Sequence, residues 1–256
     1  MATIPTGRFV WFEYVSNDER KAQAFFGELF HWKTKEVPTP QGTYTMIALG
    51  NETIGGYLKP FPGAPQHAHW LAHLQVANAQ DTAKQFKAKG GKIIKEPWRV
   101  GEVGTMAVVS DPQGAVLALW QPTKVEGTGD YKGIDGSWVW NELYTDDPDK
   151  AVTFYKAIGG FEVETMKMGG DGKGPDRYEI IKSDGKGRGG IMKMPGVPTS
   201  WMPYVKVANT DAIVEKAKRL GATFKMPAET IPNVGRLAVL IDPLGAPLGI
   251  LQPAPM

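Results

Sequence analysis

The feature that most constrains the fold of this 256-residue chain is an internal repeat. Two apolar runs each place a tryptophan two residues before a glutamate, and these glutamates, Glu13 and Glu142, lie 129 positions apart. Later in the chain, the turn sequence that begins at Asp111 recurs at Asp242, which is 131 positions further on. Self-similarity at a nearly constant offset is typical of a duplicated domain. We therefore predict two tandem copies of one fold.

The duplication also places the predicted domain boundaries. We assign domain 1 to residues 7–122 and domain 2 to residues 136–253. The intervening residues 123–135 include several glycines, which is typical of a linker. A chain of this length is long enough for two domains of ordinary size.

Within each copy the sequence alternates between strand and helix patterns. In domain 1, apolar side chains at helical spacing follow a capping residue, Asn17 or Asp18, and continue to about Phe30. A second helix is predicted over Ala79–Lys89, before a pair of glycines. Short strand patterns separated by Pro, Gly and Asn surround both helices. Each copy is therefore predicted as two modules of one strand, one helix and three strands. This gives an α+β fold with curved mixed sheets and helices on their outer faces.

Composition narrows the range of partners. The formal net charge of +2 is too small to indicate nucleic acid or an anionic membrane, and no apolar run reaches membrane-spanning length. The chain has no cysteine, which excludes a disulfide framework or a thiolate site. Residues 1–6 lack the basic and apolar regions of a signal peptide, so we expect a cytoplasmic protein. The oligomeric state is not defined, although the duplication is compatible with a monomer that is itself a pseudo-dimer.

The most informative local pattern is the Trp-x-Glu strand that opens each copy. Because side chains alternate across a strand, Trp11 and Glu13 share one face, as do Trp138, Trp140 and Glu142. A carboxylate on an apolar strand is costly to bury unless it has a functional or structural partner. Aromatic walls with a few polar groups are typical of a small-molecule pocket. We predict ligand contacts from Trp11, Tyr44, His73, Trp120, Trp138, Trp140, Tyr178 and Tyr204. The alternative is that these aromatic residues simply fill the core of a curved sheet.

The motifs together resemble a known family. They are Trp-x-Glu before Ala-x-x-Phe-Phe/Tyr, a Gly-Gly pair before a strand, and Asp-Pro-x-Gly-Ala separated by five residues from Gln-Pro. This combination resembles the vicinal oxygen chelate superfamily, which includes glyoxalase I, extradiol dioxygenases and bleomycin-resistance proteins. The resemblance covers nearly the whole chain and is nearest to tandem glyoxalase-like proteins of bacteria. It implies a fold more firmly than a reaction, because one fold hosts many chemistries.

The resemblance also implies a divalent metal held by His, Gln or Glu on facing strands. The matching positions here carry residues that cannot bind such a cation. They are Trp11 and Trp140, Leu71 and Met202, and Ala118 and Gly249. The fourth position falls near Gly55-Gly56 and Gly189-Gly190 and offers no donor. We therefore expect neither a metal nor another cofactor.

A shifted metal site in domain 1 is one alternative. His67, His69 and His73 are separated by two and by four residues, so they would share a strand face, with Glu13 opposite them. The competing interpretation is a loop histidine, a strand-end histidine and one hydrogen-bonded histidine.

Glu13 and Glu142 are the candidate catalytic residues, and three interpretations of them stay open. Each could act as a general base, anchor a ligand hydroxyl or cation, or pair with a basic residue such as Lys59, Lys193 or Arg236. The favoured function is a metal-independent small-molecule binding or resistance-type protein. The alternative is a lyase or isomerase that acts on a reactive carbonyl adduct with a glutamate base, with a metal in domain 1 as a further option.

Overall fold

The computed structural model describes residues 4–39, 42–61, 64–124, 130–131, 133–167 and 177–255. In domain 1 the elements are β1 Arg8–Val15, α1 Glu19–Phe30, β2 Lys33–Thr39, β3 Gly42–Leu49, β4 Glu52–Leu58, β5 His69–Gln75, α2 Ala79–Ala88, β6 Lys92–Val100, β7 Gly104–Ser110 and β8 Val116–Pro122. In domain 2 they are β9 Trp138–Thr145, α3 Pro148–Gly159, β10 Glu162–Lys167, β11 Arg177–Ser183, β12 Lys186–Lys193, β13 Ser200–Lys206, α4 Thr210–Arg219, β14 Thr223–Ile231, β15 Gly235–Ile241 and β16 Pro247–Pro253.

Each domain forms one eight-stranded mixed sheet. The strand orders are β2-β3-β4-β1-β5-β8-β7-β6 and β10-β11-β12-β9-β13-β16-β15-β14, which are equivalent. The opening strand pairs in parallel with the fourth strand of its module, as β1 does with β4 and β9 with β12. The other strand pairs within the first modules are antiparallel. The duplicated α+β fold predicted from the sequence is therefore confirmed.

The first helix of each domain begins where the capping chemistry predicts. The carboxylate of Asp18 accepts a hydrogen bond from the N–H of Lys21 at 3.0 Å, before α1. Asp147 caps α3 in the same way, and Pro148 follows it in the first turn. Each cap follows closely on a Trp-x-Glu strand, so the chain leaves the strand directly into a helix.

Contacts divide the chain into two compact units that combine modules from both domains. Unit 1 comprises Met1–Val10, Ala72–Asp130 and Trp140–Trp201, and unit 2 comprises Trp11–Leu71, Tyr131–Val139 and Met202–Met256. In unit 1, α2 packs against α3, and in unit 2, α1 packs against α4. The second module of one domain therefore shares a unit with the first module of the other, a pairing that the sequence left open.

A buried aspartate at the start of the Asp-Pro-x-Gly turn lies in the core of each unit. In unit 1, Asp111 accepts two backbone N–H groups of its own turn and the hydroxyl of Tyr155, the latter at 3.0 Å. In unit 2, Asp242 accepts two turn N–H groups and the hydroxyl of Tyr14, the latter at 2.5 Å. Burial raises the pKa of both carboxyls above the ordinary value. The hydrogen bonds therefore offset the free-energy cost of burying each carboxyl.

Two predictions concern parts of the chain that the structure describes incompletely. The predicted linker includes residues 125–129 and 132, which lie outside the described residues. The linker and the domain boundaries therefore stay predictions. No helix in the described part of the chain is long and apolar enough to cross a membrane.

Candidate functional site

In domain 1, the Trp-x-Glu strand forms a hydrogen-bonded cluster with a tyrosine from β3. The indole Nε1 of Trp11 donates to the hydroxyl of Tyr44 at 3.0 Å. The same hydroxyl donates to Oε1 of Glu13 at 2.9 Å. Glu13 is 6% exposed, whereas Trp11 and Tyr44 are half-buried. The cluster, which lies in unit 2, thus joins a buried carboxylate to two partly accessible aromatic rings.

A glycine on the intervening strand makes this cluster possible. Strand β4 lies between β3 and β1, and Gly56 on β4 pairs with Glu13 on one side and Met46 on the other. A Cβ atom at position 56 would overlap the hydroxyl group of Tyr44. The tyrosine ring therefore reaches across β4 to the carboxylate only because position 56 has no side chain.

Domain 2 repeats the cluster with matched residues. The indole of Trp140 donates to the hydroxyl of Tyr178 at 2.7 Å, and that hydroxyl is hydrogen-bonded to Glu142. Gly190 pairs with Glu142, and a Cβ atom at this glycine would overlap the hydroxyl of Tyr178. Glu142 is 6% exposed, and the whole cluster lies in unit 1. The two clusters agree in residue types, in bonding partners and in the glycine that the tyrosine crosses.

The donors and acceptors define where the protons lie in each cluster. An indole N–H can only donate, so each tyrosine hydroxyl accepts from tryptophan and gives its own proton to glutamate. Burial, with the neighbouring glutamate as the second cause, raises the pKa of Tyr44 and of Tyr178 well above the ordinary value. Both phenols therefore stay protonated at neutral pH. A carboxylate can accept several hydrogen bonds, so Glu13 and Glu142 supply the acceptor group of each cluster.

Six of the residues predicted to form a site lie in the two clusters, three in each. They are Trp11, Glu13, Tyr44, Trp140, Glu142 and Tyr178. The interpretation of the glutamates as partners of basic residues is not supported for Arg236, which pairs with Asp211 at 2.7 Å.

Trp138 has a different environment from Trp140 and Glu142, and a ligand contact from it stays a prediction. Its indole is 6% exposed and donates to a backbone carbonyl of β4 at 2.6 Å. Strand β9 places Trp138 in unit 2, and Trp140 and Glu142 in unit 1. The ring packs in the aromatic core of unit 2, at centroid distances of 4.4 to 5.4 Å, against Phe12, Trp32 and Trp70.

The other three predicted contact residues have defined packing environments. Trp120 is half-buried and lies over Gly104 on β7, where a Cβ atom would come within 2.5 Å of its ring. His73 is 3% exposed and pairs with Ala118 on β8. Tyr204 is 5% exposed and covers Gly249 on β16. Ligand contacts by these three residues stay predictions.

The side chains at the positions implied for a metal do not fit one. A Cβ atom at Gly249 would overlap the ring of Tyr204, so this strand position has no room for a ligating side chain. Trp11 presents an N–H donor, which is not a metal ligand. His69 Nδ1 contacts the carbonyl oxygen of His67 at 2.9 Å, and burial lowers the pKa of His69. Within the described ranges, no group of three or more His, Cys, Asp or Glu residues could hold a metal ion.

An ion pair in unit 1 between a buried arginine and a partly exposed aspartate was not predicted from the sequence. Arg188 on β12 is 3% exposed, and its Nη1 donates to Oδ1 of Asp130 at 2.5 Å. Lys186 Nζ contacts the other carboxylate oxygen of Asp130 at 2.5 Å. These two cations hold the pKa of Asp130 at about 2. The repeat marks Arg188 as unusual, because the matched residue in domain 1 is the apolar Ile54, but it does not identify Asp130 as the partner.

Comparisons with known proteins define the family. Residues 8–119 match the Glyoxalase/Bleomycin resistance protein/Dioxygenase superfamily. The chain is 33% identical over 251 residues to "Putative glyoxylase CFP32" of Mycobacterium tuberculosis (strain CDC 1551 / Oshkosh), covering 96% of this chain and 94% of that protein. The fold, the duplicated sheets and these similarities agree. The chain belongs to the glyoxalase, bleomycin resistance protein and dioxygenase superfamily.

Further similarities extend over the whole chain. "Anthracycline biosynthesis protein DnrV" of Streptomyces peucetius is 29% identical over 266 residues, covering 98% of this chain and 95% of that protein. The Mn(II)-bound glyoxalase from Novosphingobium aromaticivorans has a TM-score of 0.64 at 12% identity, with 97% of this chain and 83% of that chain covered. The 2,3-dioxygenase LapB from Pseudomonas sp. KL28 has a TM-score of 0.66 at 11% identity, with 99% and 94% covered. At this identity the two solved structures show a common fold alone.

Proposed function

We propose that this protein binds and sequesters a flat, hydroxyl-bearing small molecule, without the metal centre of its family. The observation that carries the proposal is the Trp–Tyr–Glu cluster, which recurs at matched positions in both domains. Burying a carboxylate costs free energy unless hydrogen bonds or a charged partner offset that cost. Here each carboxylate is held beside two partly accessible aromatic rings, an arrangement that suits small-molecule recognition.

The order of hydrogen bonds supports a ligand that carries donors. Each tyrosine proton is directed at Glu13 or Glu142, so the polar group of each cluster is an acceptor, which suits a ligand with hydroxyl or ammonium donors. The half-buried rings of Trp11 and Trp140 can pack against a flat apolar body. A polycyclic aromatic compound with hydroxyl groups meets both requirements.

The name of one relative supports the same ligand class. The Streptomyces protein with 29% identity is named for anthracycline biosynthesis, and anthracyclines are flat, hydroxylated polycyclic molecules. This supports a polycyclic ligand for the present chain, although the two sequences differ at most positions.

A fluorescence titration with daunorubicin, a soluble anthracycline, tests the proposal. We expect saturable binding that becomes at least tenfold weaker when Trp11→Leu and Trp140→Leu are combined, because both stacking surfaces are then lost. The matched control is Ile134→Ala, which removes an exposed apolar side chain outside both clusters. The absence of saturable binding, or an equal loss in the control, would contradict the proposal.

The mycobacterial relative with 33% identity, whose name includes "glyoxylase", favours a second candidate function. In it, the protein is a lyase or isomerase for a reactive carbonyl adduct, with Glu13 or Glu142 as the general base and metal assistance in domain 1 as an option. The hemithioacetal of methylglyoxal with glutathione is the substrate to test, with and without added Mn²⁺. Turnover that falls by about 10²–10⁴-fold in Glu13→Gln or Glu142→Gln would replace the binding proposal with this one.

We also propose that the protein acts in the cytoplasm and that its partner is neither nucleic acid nor a membrane. The net charge of +2 and the lack of cysteine support this.

A further inference from the structure

A polar groove of about 340 Å³ lies in unit 1, apart from the Trp–Tyr–Glu cluster of that unit. Its lining combines the first turn of α2 with the ends of β6, β7 and β8. The lining residues are Asn78, Gln80, Glu96, Pro97, Trp98, Arg99, Thr105 and Gln121. All lie in the second module of domain 1, so the matching region of domain 2 provides an internal comparison.

The two domains place an arginine on opposite strands at this location. In domain 1, Arg99 on β6 pairs across the ladder with Thr105 on β7. In domain 2, Thr230 on β14 pairs with Arg236 on β15. Both positions are offset by 131 residues, so the cross-strand pair is the same and the arginine and threonine have changed places.

In domain 2 the protein's own side chains satisfy the arginine. Arg236 donates to both carboxylate oxygens of Asp211, at 2.8 and 2.7 Å, and to the hydroxyl of Thr230 at 3.2 Å. A bidentate pair of this kind matches the planar fork of a guanidinium. This corner of domain 2 is therefore closed by an internal ion pair.

In domain 1, the position matched to Asp211 carries no carboxylate that could pair with Arg99. The residue matched to Asp211 is Gln80, which is neutral. Arg99 is exposed, and its described hydrogen bond is a long one of 3.5 Å to the hydroxyl of Thr123. Among the residues that the structure describes, no carboxylate forms an ion pair with Arg99. The groove thus presents a guanidinium and an amide where domain 2 holds a matched pair of charges.

We propose that this groove binds a small aromatic monocarboxylate, whose carboxylate takes the place at Arg99 that Asp211 takes at Arg236. Trp98 adds a half-exposed aromatic side chain to the lining, and Lys95 Nζ lies 3.9 Å from the centre of its ring and adds positive charge. The N-terminal end of α2, which carries Gln80, adds partial positive charge on the same wall. Glu96 also lines the groove and disfavours ligands with several negative charges.

A chemical-shift titration of the ¹⁵N-labelled full chain with benzoate tests this inference, and benzamide serves as the uncharged probe. We expect saturable shifts around α2 and β6 with benzoate, and affinity for benzamide at least tenfold weaker. Arg99→Thr, which copies Thr230, should weaken benzoate binding about tenfold. Gln80→Asp, which copies Asp211, should weaken it similarly because it supplies Arg99 with an internal carboxylate.

Arg219→Thr is the matched control, because it removes an exposed arginine that lies on α4. This variant should bind benzoate like the original chain. Equal affinity for benzoate and benzamide, benzoate shifts that do not saturate, or unchanged binding in both Arg99→Thr and Gln80→Asp would each overturn the inference. Because both test substitutions use residues already present at the matched place in domain 2, we expect the variants to fold.

Discussion

The two units hold the same Trp–Tyr–Glu cluster but satisfy their buried aspartates in different ways. In unit 2, the hydroxyl that bonds Asp242 comes from Tyr14 on β1. In unit 1, the hydroxyl that bonds Asp111 comes from Tyr155 on α3. The residue matched to Tyr14 is Leu143, and the residue matched to Tyr155 is Phe26. Each unit therefore keeps one phenol for its aspartate, but places it on a different element.

This difference distinguishes what the core requires, a donor to the buried aspartate, from what the site requires, a fixed arrangement of the cluster. The buried aspartate needs a donor, and a donor from either the strand or the helix meets that need. The cluster instead keeps all three residue types and the crossed glycine at matched positions in both units. The cluster therefore has the same arrangement in both units, whereas the donor to the buried aspartate does not. Packing alone does not require such agreement, which supports a role of the cluster in binding.

The largest expected effect concerns the glycine beneath the tyrosine. Gly56→Ala places a methyl group where the hydroxyl of Tyr44 lies, so the ring must move and its bond to Glu13 breaks. We expect the free energy of unfolding to fall by about 3 kcal/mol, from overpacking and lost hydrogen bonds. Chemical denaturation measures it. In a Tyr44→Ala background the same substitution should cost less than about 1 kcal/mol, and an undiminished cost would show that the tyrosine is not the cause.

The different position of the tyrosine that bonds the buried aspartate in each unit gives the second prediction. Tyr14→Phe removes the hydroxyl donor of Asp242 and should cost about 2 kcal/mol in thermal or denaturant unfolding. Adding Phe26→Tyr should recover at least half of this, because it copies the helix phenol of unit 1. The new hydroxyl would also offer an acceptor to Trp70 Nε1, which is buried with no hydrogen-bond partner among the described residues.

Tyr57→Phe is the control for this exchange. Tyr57 is 3% exposed, and the structure describes no hydrogen bond from its hydroxyl to protein atoms. Its loss should change the free energy of unfolding by less than about 0.5 kcal/mol. If Phe26→Tyr failed to rescue Tyr14→Phe, the two arrangements would not be interchangeable.

A buried amide in unit 1 gives the third prediction. Asn141 is fully buried, and neither atom of its amide has a hydrogen-bond partner among the described residues. The matched residue in unit 2 is the apolar Phe12. Asn141→Leu should therefore raise the free energy of unfolding by about 1 kcal/mol. A decrease, measured by urea denaturation, would indicate that the amide is satisfied inside the folded protein.

The ion pair of Arg188 gives the smallest effect and a pH dependence. Asp130 has its pKa lowered to about 2 by Lys186 and Arg188, so its contribution to stability is present above about pH 4. That contribution is lost as the pH falls through about 2, when the carboxylate is protonated in the folded state. Asp130→Asn should therefore flatten the stability profile between about pH 4 and pH 2, by no more than about 1 kcal/mol because the group is partly exposed. A profile with unchanged slope would contradict this assignment.

Much of the fold followed from the sequence because duplication provides two independent samples of each element. The helix after Asp18 and the helix before Gly90 were recognisable from capping residues and apolar spacing, which are local signals. The match of Tyr44 with Tyr178 also indicated that both tyrosines face the site. Their hydrogen bonds were not predictable, because a ring that crosses a strand depends on the register of three strands at once.

Other features of the site were not predicted from the sequence, and each has a physical reason. The glycines at 56 and 190 were interpreted as empty metal positions, whereas each accommodates a tyrosine from the next strand. The ring of Trp138 packs against Phe12 of domain 1, a contact that strand alternation alone does not reveal. The partner of Arg188 lies 58 positions away, and the sequence contains no local signal for a contact over that distance.

Equilibrium dialysis with daunorubicin tests the central claim most directly, because it counts binding sites. Two equivalent clusters predict two bound molecules per chain, one in either Glu13→Gln or Glu142→Gln, and none in the double variant at the same ligand concentration. The control Glu102→Gln, at an exposed position, should still bind two. Two bound molecules in the double variant, or none in the original chain, would contradict the claim that the Trp–Tyr–Glu clusters are the binding sites.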